Sequence, residues 1–213
     1  MPGSSPSFVP RVPLGPPPFG DRRRRRIGLL GGSFNPAHEG HLYISLEAIK
    51  ALGLHQVWWL VSPQNPLKPA GTMAPLAARL AQGQAMVEDR RIVVTDLERR
   101  LGTTRTALTL RLLARRYPGL RFVWLMGADN LGQCPRWWRW IRIFGAARVA
   151  VFDRSPYSYQ ALAGAAARRF AQVRTRRSSA IWFRLPPAWT YVAIRRHPAS
   201  ATAVRAEFSS TAG

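Results

Sequence analysis

The sequence predicts an α/β fold, a doubly wound parallel sheet in a single domain preceded by an unstructured N-terminal segment. Three observations predict it. Six short apolar runs carry almost no polar interruption, as strands buried on both faces do. Stretches with helical apolar spacing fall between those runs, the alternation expected of strand–helix–strand units. The foldable part of the 213 residues is also long enough to bury a core of this kind.

The elements follow in order. Residues 1–26 hold Pro16-Pro17-Pro18 and an unbroken arginine run from Arg22 to Arg26. Such a segment has too little apolar surface to order itself. It is read as a disordered Pro/Arg-rich tail, with the folded domain spanning 27–213. No apolar stretch follows the arginines as a secretory signal would require. Residues 27–30 form the first strand candidate. A helix then begins near Gly40, with apolar spacing clear over 45–52. Further strands are expected at 57–61, 92–95, 122–126, 149–152 and 191–194. Helices are expected at 75–87, 107–117, 138–144 and 159–171. Ligands of such sheets sit beyond the carboxyl ends of the strands.

Composition narrows the function classes. Lys plus Arg is 32 against 10 acidic residues, a net charge of +22. Only Lys50 and Lys68 are lysines; the other basic residues are arginines, which favour bidentate contacts to phosphate or carboxylate. This balance implies attraction to anionic partners, non-specific binding of nucleic acid included. An apolar fraction of 46% and eight tryptophans exclude a wholly disordered chain. No apolar run approaches the ~18 residues of a transmembrane helix, so no membrane partner is expected. Cys134 is the single cysteine, which excludes a disulfide framework and fits a reducing, cytoplasmic setting. One cysteine and four histidines also argue against a Cys-rich structural zinc site, and no protein-held metal is expected.

The first strand ends in Gly31-Gly32-Ser33-Phe34-Asn35-Pro36-Ala37-His38-Glu39-Gly40-His41-Leu42. Paired glycines let the backbone turn sharply and approach a ligand. A helix N-terminus offers amide N–H groups and partial positive charge, which suit phosphate. Histidines three apart can face the same way there, each able to donate to a phosphate oxygen. The segment is no Walker A loop, and glycines at 28, 31 and 32 do not make the dinucleotide-binding G-x-G-x-x-G.

The stretch 31–42 resembles the H-x-G-H signature of the nucleotidyltransferase superfamily. It is most similar to the nicotinate-nucleotide adenylyltransferase family. Later segments resemble that family in order. They are Ser62-Pro63-Gln64-Asn65-Pro66-Leu67-Lys68; Val94-Thr95-Asp96-Leu97-Glu98 with Gly102 to Thr106; Met126-Gly127-Ala128-Asp129-Asn130-Leu131; and the tryptophans Trp137 and Trp140. The matches run from 27 to about 205.

The resemblance implies a Rossmann-like sheet and adenylyl transfer from ATP to nicotinate mononucleotide, with Mg2+ bridging phosphate oxygens. It implies that His38, His41, Lys68 and Arg205 carry the charge of the reaction. ATP would be held by Gly31, Gly32, Ser33 and Phe34, by the Gly127–Asp129 corner near the ribose, and by Ser200 and Thr202. Taken alone, Lys68 is equally a solvated loop lysine and Asp129 equally a helix N-cap. Trp137 would stack on the pyridine ring, with Thr106 near its carboxylate. Arg105 stands where the family commonly has a tyrosine, and a guanidinium there can pair with that carboxylate. The last family motif is best matched by Ser200-Ala201-Thr202-Ala203-Val204-Arg205, since Ser209-Ser210-Thr211 has no arginine after it. Two other functions stay open at this point: a phosphopantetheine adenylyltransferase, and a nucleic-acid-binding protein built on the cation–aromatic run Arg136-Trp137-Trp138-Arg139-Trp140.

Overall fold

A computed structural model describes residues 25–64, 73–153 and 158–195. Its centre is a seven-stranded sheet of β1 (Arg26–Gly32), β2 (Gln56–Val61), β3 (Ile92–Thr95), β4 (Arg121–Gly127), β5 (Arg148–Phe152), β6 (Arg174–Thr175) and β7 (Trp189–Val192). The spatial order is β3-β2-β1-β4-β5-β7-β6, and every pairing is parallel. The chain runs outward from β1 through β2 to β3, then returns to the other side of β1 with β4. Strands β1 and β4 are therefore the topological switch point, and the crevice beyond their carboxyl ends is where such sheets bind ligands.

Alternate strand residues feed two cores. Ile27, Leu29, Trp58, Leu60, Phe122 and Trp124 point to one face. Leu30, Val57, Trp59, Val123 and Leu125 point to the other. On the first face pack α3 (Leu97–Arg100), α4 (Thr106–Arg116), α5 (Ala128–Gln133) and α6 (Ile141–Ala146). On the second pack α1 (Glu39–Leu52) and α2 (Leu76–Met86). This is the doubly wound arrangement the apolar runs predict. Among the described residues no helix is long and apolar enough to cross a membrane.

Several boundaries differ from the sequence expectation. Strand β1 opens at Arg26, and β7 lies two residues ahead of the expected 191–194. The helix expected at 138–144 starts only at Ile141, because Arg139 takes a left-handed backbone angle (φ 49°) that a right-handed helix cannot continue through. The helix expected at 159–171 is two short ones, α7 (Ser158–Leu162) and α8 (Ala165–Arg169), divided by Gly164 in an extended conformation. Strand β6 is two residues long, below what alternation can signal.

The C-terminus of α1 is closed from far along the chain. Gly53 provides the left-handed cap residue (φ 59°). The carbonyl of Leu52 then accepts from Trp182 Nε1 at 2.7 Å, and that of Ala51 accepts from Ser178 Oγ at 2.9 Å. Both donors lie on the 3-10 turn Ser178–Phe183. Arg26, Arg121 and Arg148, near the starts of three adjacent strands, place their guanidinium groups 5.3–5.5 Å from the Trp182 ring centre.

Candidate active site

The glycine pair ends β1 at the switch point. A Cβ built on Gly31 would lie 2.2 Å from Cη2 of Trp124, whose ring fills that place from β4. The next turn is tight. Phe34 is fully buried at a positive φ of 45°, and the Asn35–Pro36 bond is cis. The Phe34 ring stacks on Trp59 at 5.0 Å and lies 4.6 Å from the His41 ring. The loop is thus pinned by a buried aromatic side chain carried on a left-handed backbone angle.

Two histidines cap α1 reciprocally. His38 is the N-cap; its Nδ1 accepts from Gly40 N at 3.1 Å. His41, at the third helical position, accepts from His38 N through its own Nδ1 at 3.3 Å. The rings lie 3.9 Å apart. A ring nitrogen that accepts carries no proton, so in the neutral imidazole the proton sits on Nε2. The caps therefore fix both histidines as Nε2–H donors. Behind them Trp59 Nε1 donates to Ser45 Oγ, and Ser45 Oγ to His41 O, at 2.7 and 2.8 Å.

Across the switch point, β4 ends at Gly127, which is the N-cap of α5. Asp129 therefore sits inside the first turn rather than at the cap, where the side-chain preference alone would put it. The expected substrate loop lies on the other face of the sheet. Arg105 is the N-cap of α4, with its side chain exposed and its N–H donating to Thr103 Oγ1; Thr106 follows as the first helical residue. Trp137 is half-buried in extended backbone just after the 3-10 turn Cys134–Arg136. Its neighbours divide the other roles. Trp140 packs edge-on against Phe144 and Phe170, and exposed Trp138 lies beneath the Arg139 guanidinium at 4.7 Å. The signature loop and the Gly127–Asp129 corner thus meet at the carboxyl edge of β1 and β4. Thr106 begins a helix on the opposite sheet face to α1, and Trp137 packs against that same face. Lys68, Ser200, Thr202 and Arg205 fall outside the described residues.

Three supporting residues were not anticipated. Arg79 of α2 is buried among main-chain carbonyls; in the sequence it is one arginine among many. Trp124 reads as an ordinary strand residue. Glu98 lies inside a quoted family segment, yet nothing in its spacing marks it as buried. Its carboxyl accepts from Thr109 Oγ1 at 2.8 Å and lies in hydrogen-bonding reach of the Ser62 hydroxyl. The Thr109 bond ties Glu98 to α4. Burial pushes its pKa up, against the two hydroxyls. Cys134, buried, has its thiol pushed up to about 12, so it supplies no thiolate at neutral pH.

A carboxyl whose folded pKa is raised contributes stability at low pH. That contribution is lost as pH climbs from the unfolded value of about 4.3 toward the folded one. Glu98→Gln keeps an acceptor and removes the titration. The variant should match the wild type in melting temperature near pH 4 and exceed it at pH 7–8. A variant less stable than wild type at pH 8 contradicts this account of Glu98.

The comparisons with known proteins point one way. A cytidylyltransferase-like family model matches residues 29–207. The probable nicotinate-nucleotide adenylyltransferase of Cereibacter sphaeroides is 51% identical over 180 residues, covering 84% of this chain and 96% of that one. The probable nicotinate-nucleotide adenylyltransferase of Methylorubrum extorquens is 50% identical over 182 residues, covering 84% and 98%. Among solved structures, the Plasmodium falciparum nicotinic acid mononucleotide adenylyltransferase is similar in fold. Its complex with NaAD gives a TM-score of 0.63 at 16% identity, over 85% of this chain and 83% of that one. Its complex with APC gives 0.61 at the same identity and coverage.

Proposed function

The chain belongs to the cytidylyltransferase-like family and, within it, to the nicotinate-nucleotide adenylyltransferases; from that premise we propose that it transfers the adenylyl group of ATP to nicotinate mononucleotide in NAD biosynthesis. The products are nicotinate adenine dinucleotide and pyrophosphate. The phosphate of the mononucleotide attacks the α-phosphorus of ATP. A P–O bond forms there as the bond to the bridging oxygen breaks, and pyrophosphate leaves with the electron pair. A phosphomonoester has its second pKa near ~6, so the nucleophile is already an anion at neutral pH and needs no general base. What the site must supply is alignment and neutralisation of charge on non-transferring oxygens.

The observation that carries this function is the reciprocal cap of α1, which turns His38 and His41 into paired Nε2–H donors at the switch point. Gly31, Gly32, Ser33 and Phe34 shape the loop beneath the ATP phosphates, and Gly127 with Asp129 closes the ribose side. Lys68 and Arg205 are assigned to the phosphates as cations, with Ser200 and Thr202 beside Arg205. Trp137 is assigned to the pyridine ring, and Thr106 and Arg105 to its carboxylate. ATP enters as its Mg2+ complex, with the ion carried on the phosphate oxygens. Among the described residues no group of three or more His, Cys, Asp or Glu side chains is arranged to hold a metal. The net charge of +22 also supports a salt-sensitive, non-specific attraction to nucleic acid beside the catalytic activity.

The testing experiment is pyrophosphate release from ATP with nicotinate mononucleotide, its amide analogue or phosphopantetheine as acceptor. Turnover is expected with the acid and none with phosphopantetheine. Release with phosphopantetheine alone, or with none of the three, sinks the function. The C-terminal assignment has its own check. Arg205→Ala should lower kcat/KM for ATP sharply, and Arg205→Lys should restore part of it, because lysine lacks the planar fork. Removing residues 208–213 should leave activity near wild type. The reverse pattern would move the phosphate contact to Ser209–Thr211.

A further inference from the structure

The loop between α3 and α4, residues 101–105, is held from both ends by a single residue. Glu98, in α3, is 4% exposed. Its main-chain carbonyl accepts from Thr103 N at 3.0 Å, and its carboxyl Oε1 accepts from Thr109 Oγ1 at 2.8 Å. Thr109 is fully buried in the first turns of α4, and its hydroxyl lies 3.2 Å from the carbonyl of Arg105, the N-cap residue of that helix. Inside the loop, Gly102 takes a left-handed angle (φ 64°), and Thr103 Oγ1 accepts from Arg105 N at 3.1 Å. Helix α4 has no side-chain cap of its own. Arg105 and Thr106, the pair assigned to the carboxylate on the pyridine ring, thus stand between two anchors that both belong to Glu98.

An apolar side chain of the same length could fill this space without taking a carboxyl out of water. What the carboxyl adds is a directed bond to one atom of the helix behind the loop. We propose that Glu98 is a positioning residue for the acceptor substrate: by holding Thr103 N and Thr109 Oγ1 it fixes where Arg105 and Thr106 meet the carboxylate of nicotinate mononucleotide. The signature loop packs with α1 on the other face of the sheet, so the effect falls on the acceptor and not on ATP. The inference rests on the proposed function and adds to it a buried residue that serves one of the two substrates.

The test is steady-state pyrophosphate release by the full-length chain, with each substrate varied in turn and the melting temperature measured alongside. Glu98→Met keeps the length and removes the acceptor. It should raise KM for nicotinate mononucleotide about tenfold, the scale of one net hydrogen bond, and leave KM for ATP within about twofold of wild type. Glu98→Gln keeps an acceptor and should keep wild-type KM values for both substrates. Thr109→Val removes the same bond from the other side. It should match Glu98→Met in KM, and it decides the matter alone if Glu98→Met does not fold. The double variant leaves neither partner of the bond behind, so it should be more stable than Thr109→Val. Its KM for the mononucleotide should stay raised, and no higher than in either single variant. A wild-type KM for the mononucleotide in folded Thr109→Val or Glu98→Met overturns the inference. So does a Glu98→Gln variant as impaired as Glu98→Met, or an equal rise in both KM values. A double variant that regains the wild-type KM together with its stability overturns it too, because the bond would then serve the fold alone. A wild type with no turnover of nicotinate mononucleotide is a different failure: it overturns the adenylyltransferase function itself, and the role of Glu98 falls with it.

Discussion

His41→Ala should lower turnover about 10²–10³-fold at saturating ATP, the typical loss when one preorganised donor to a developing oxyanion is removed. The expected loss is in kcat because the donor counts most when charge builds on the phosphoryl oxygens. Two substitutions separate the chemistry from the capping. Glutamine can place an N–H near the position of Nε2, whereas asparagine can place an acceptor only near that of Nδ1. His41→Gln should therefore keep more activity than His41→Asn, while His41→Asn should keep more of the helix cap. The alanine variant also loses the bond to His38 N, a stability cost of about 0.5–1.5 kcal/mol. A folded protein should thus remain for assay. Near-wild-type kcat in His41→Ala would remove His41 from the catalytic set.

Gly31→Ala has the second large effect, and here stability and activity should fall together. The added methyl would meet three ring atoms of Trp124 at 2.2, 3.0 and 3.2 Å. The ring is 3% exposed and belongs to the core on the α4 face, so it cannot swing away as a flexible chain end would. Overpacking of this kind costs about 1–3 kcal/mol or more. Each kcal/mol lowers the melting temperature by roughly 2–4 °C at this chain length. Activity should drop further, because any relief must move either the end of β1 or the floor beneath it. Trp124→Leu makes room for the methyl. The double variant should be more stable than Gly31→Ala alone, although each change by itself destabilises. If the two losses simply add, the contact between Gly31 and Trp124 is not what demands glycine.

The strands were legible because burial on both faces leaves an unbroken apolar run, as in Val57-Trp58-Trp59-Leu60-Val61. The shape of the signature loop was legible because glycines, histidines and a helix start determine it locally. What stayed hidden depends on contacts between distant segments. Nothing near residue 139 says that an arginine will take a left-handed angle and delay a helix. Arg79 and Glu98 look like ordinary surface charges in the sequence. Their burial follows from where the ends of β1 and β2 place Ser33 and Ser62 and where α4 places Thr109. These supporting contacts were therefore invisible in sequence, while the turn and helix start of the signature loop were not.

The far-reaching closure of α1 sets a schedule for biosynthesis. The carbonyls of Ala51 and Leu52 wait for donors that lie 127 and 130 residues further along the chain. At a synthesis rate of about 5–20 residues per second, that interval is roughly 6–26 s. Through it the first strand–helix unit exists with one end open, its central strand lacking β4 for part of the time. A nascent chain stalled before Trp182 emerges should accordingly be readily digested by protease, and one extended past β7 should become resistant in a single step rather than by halves.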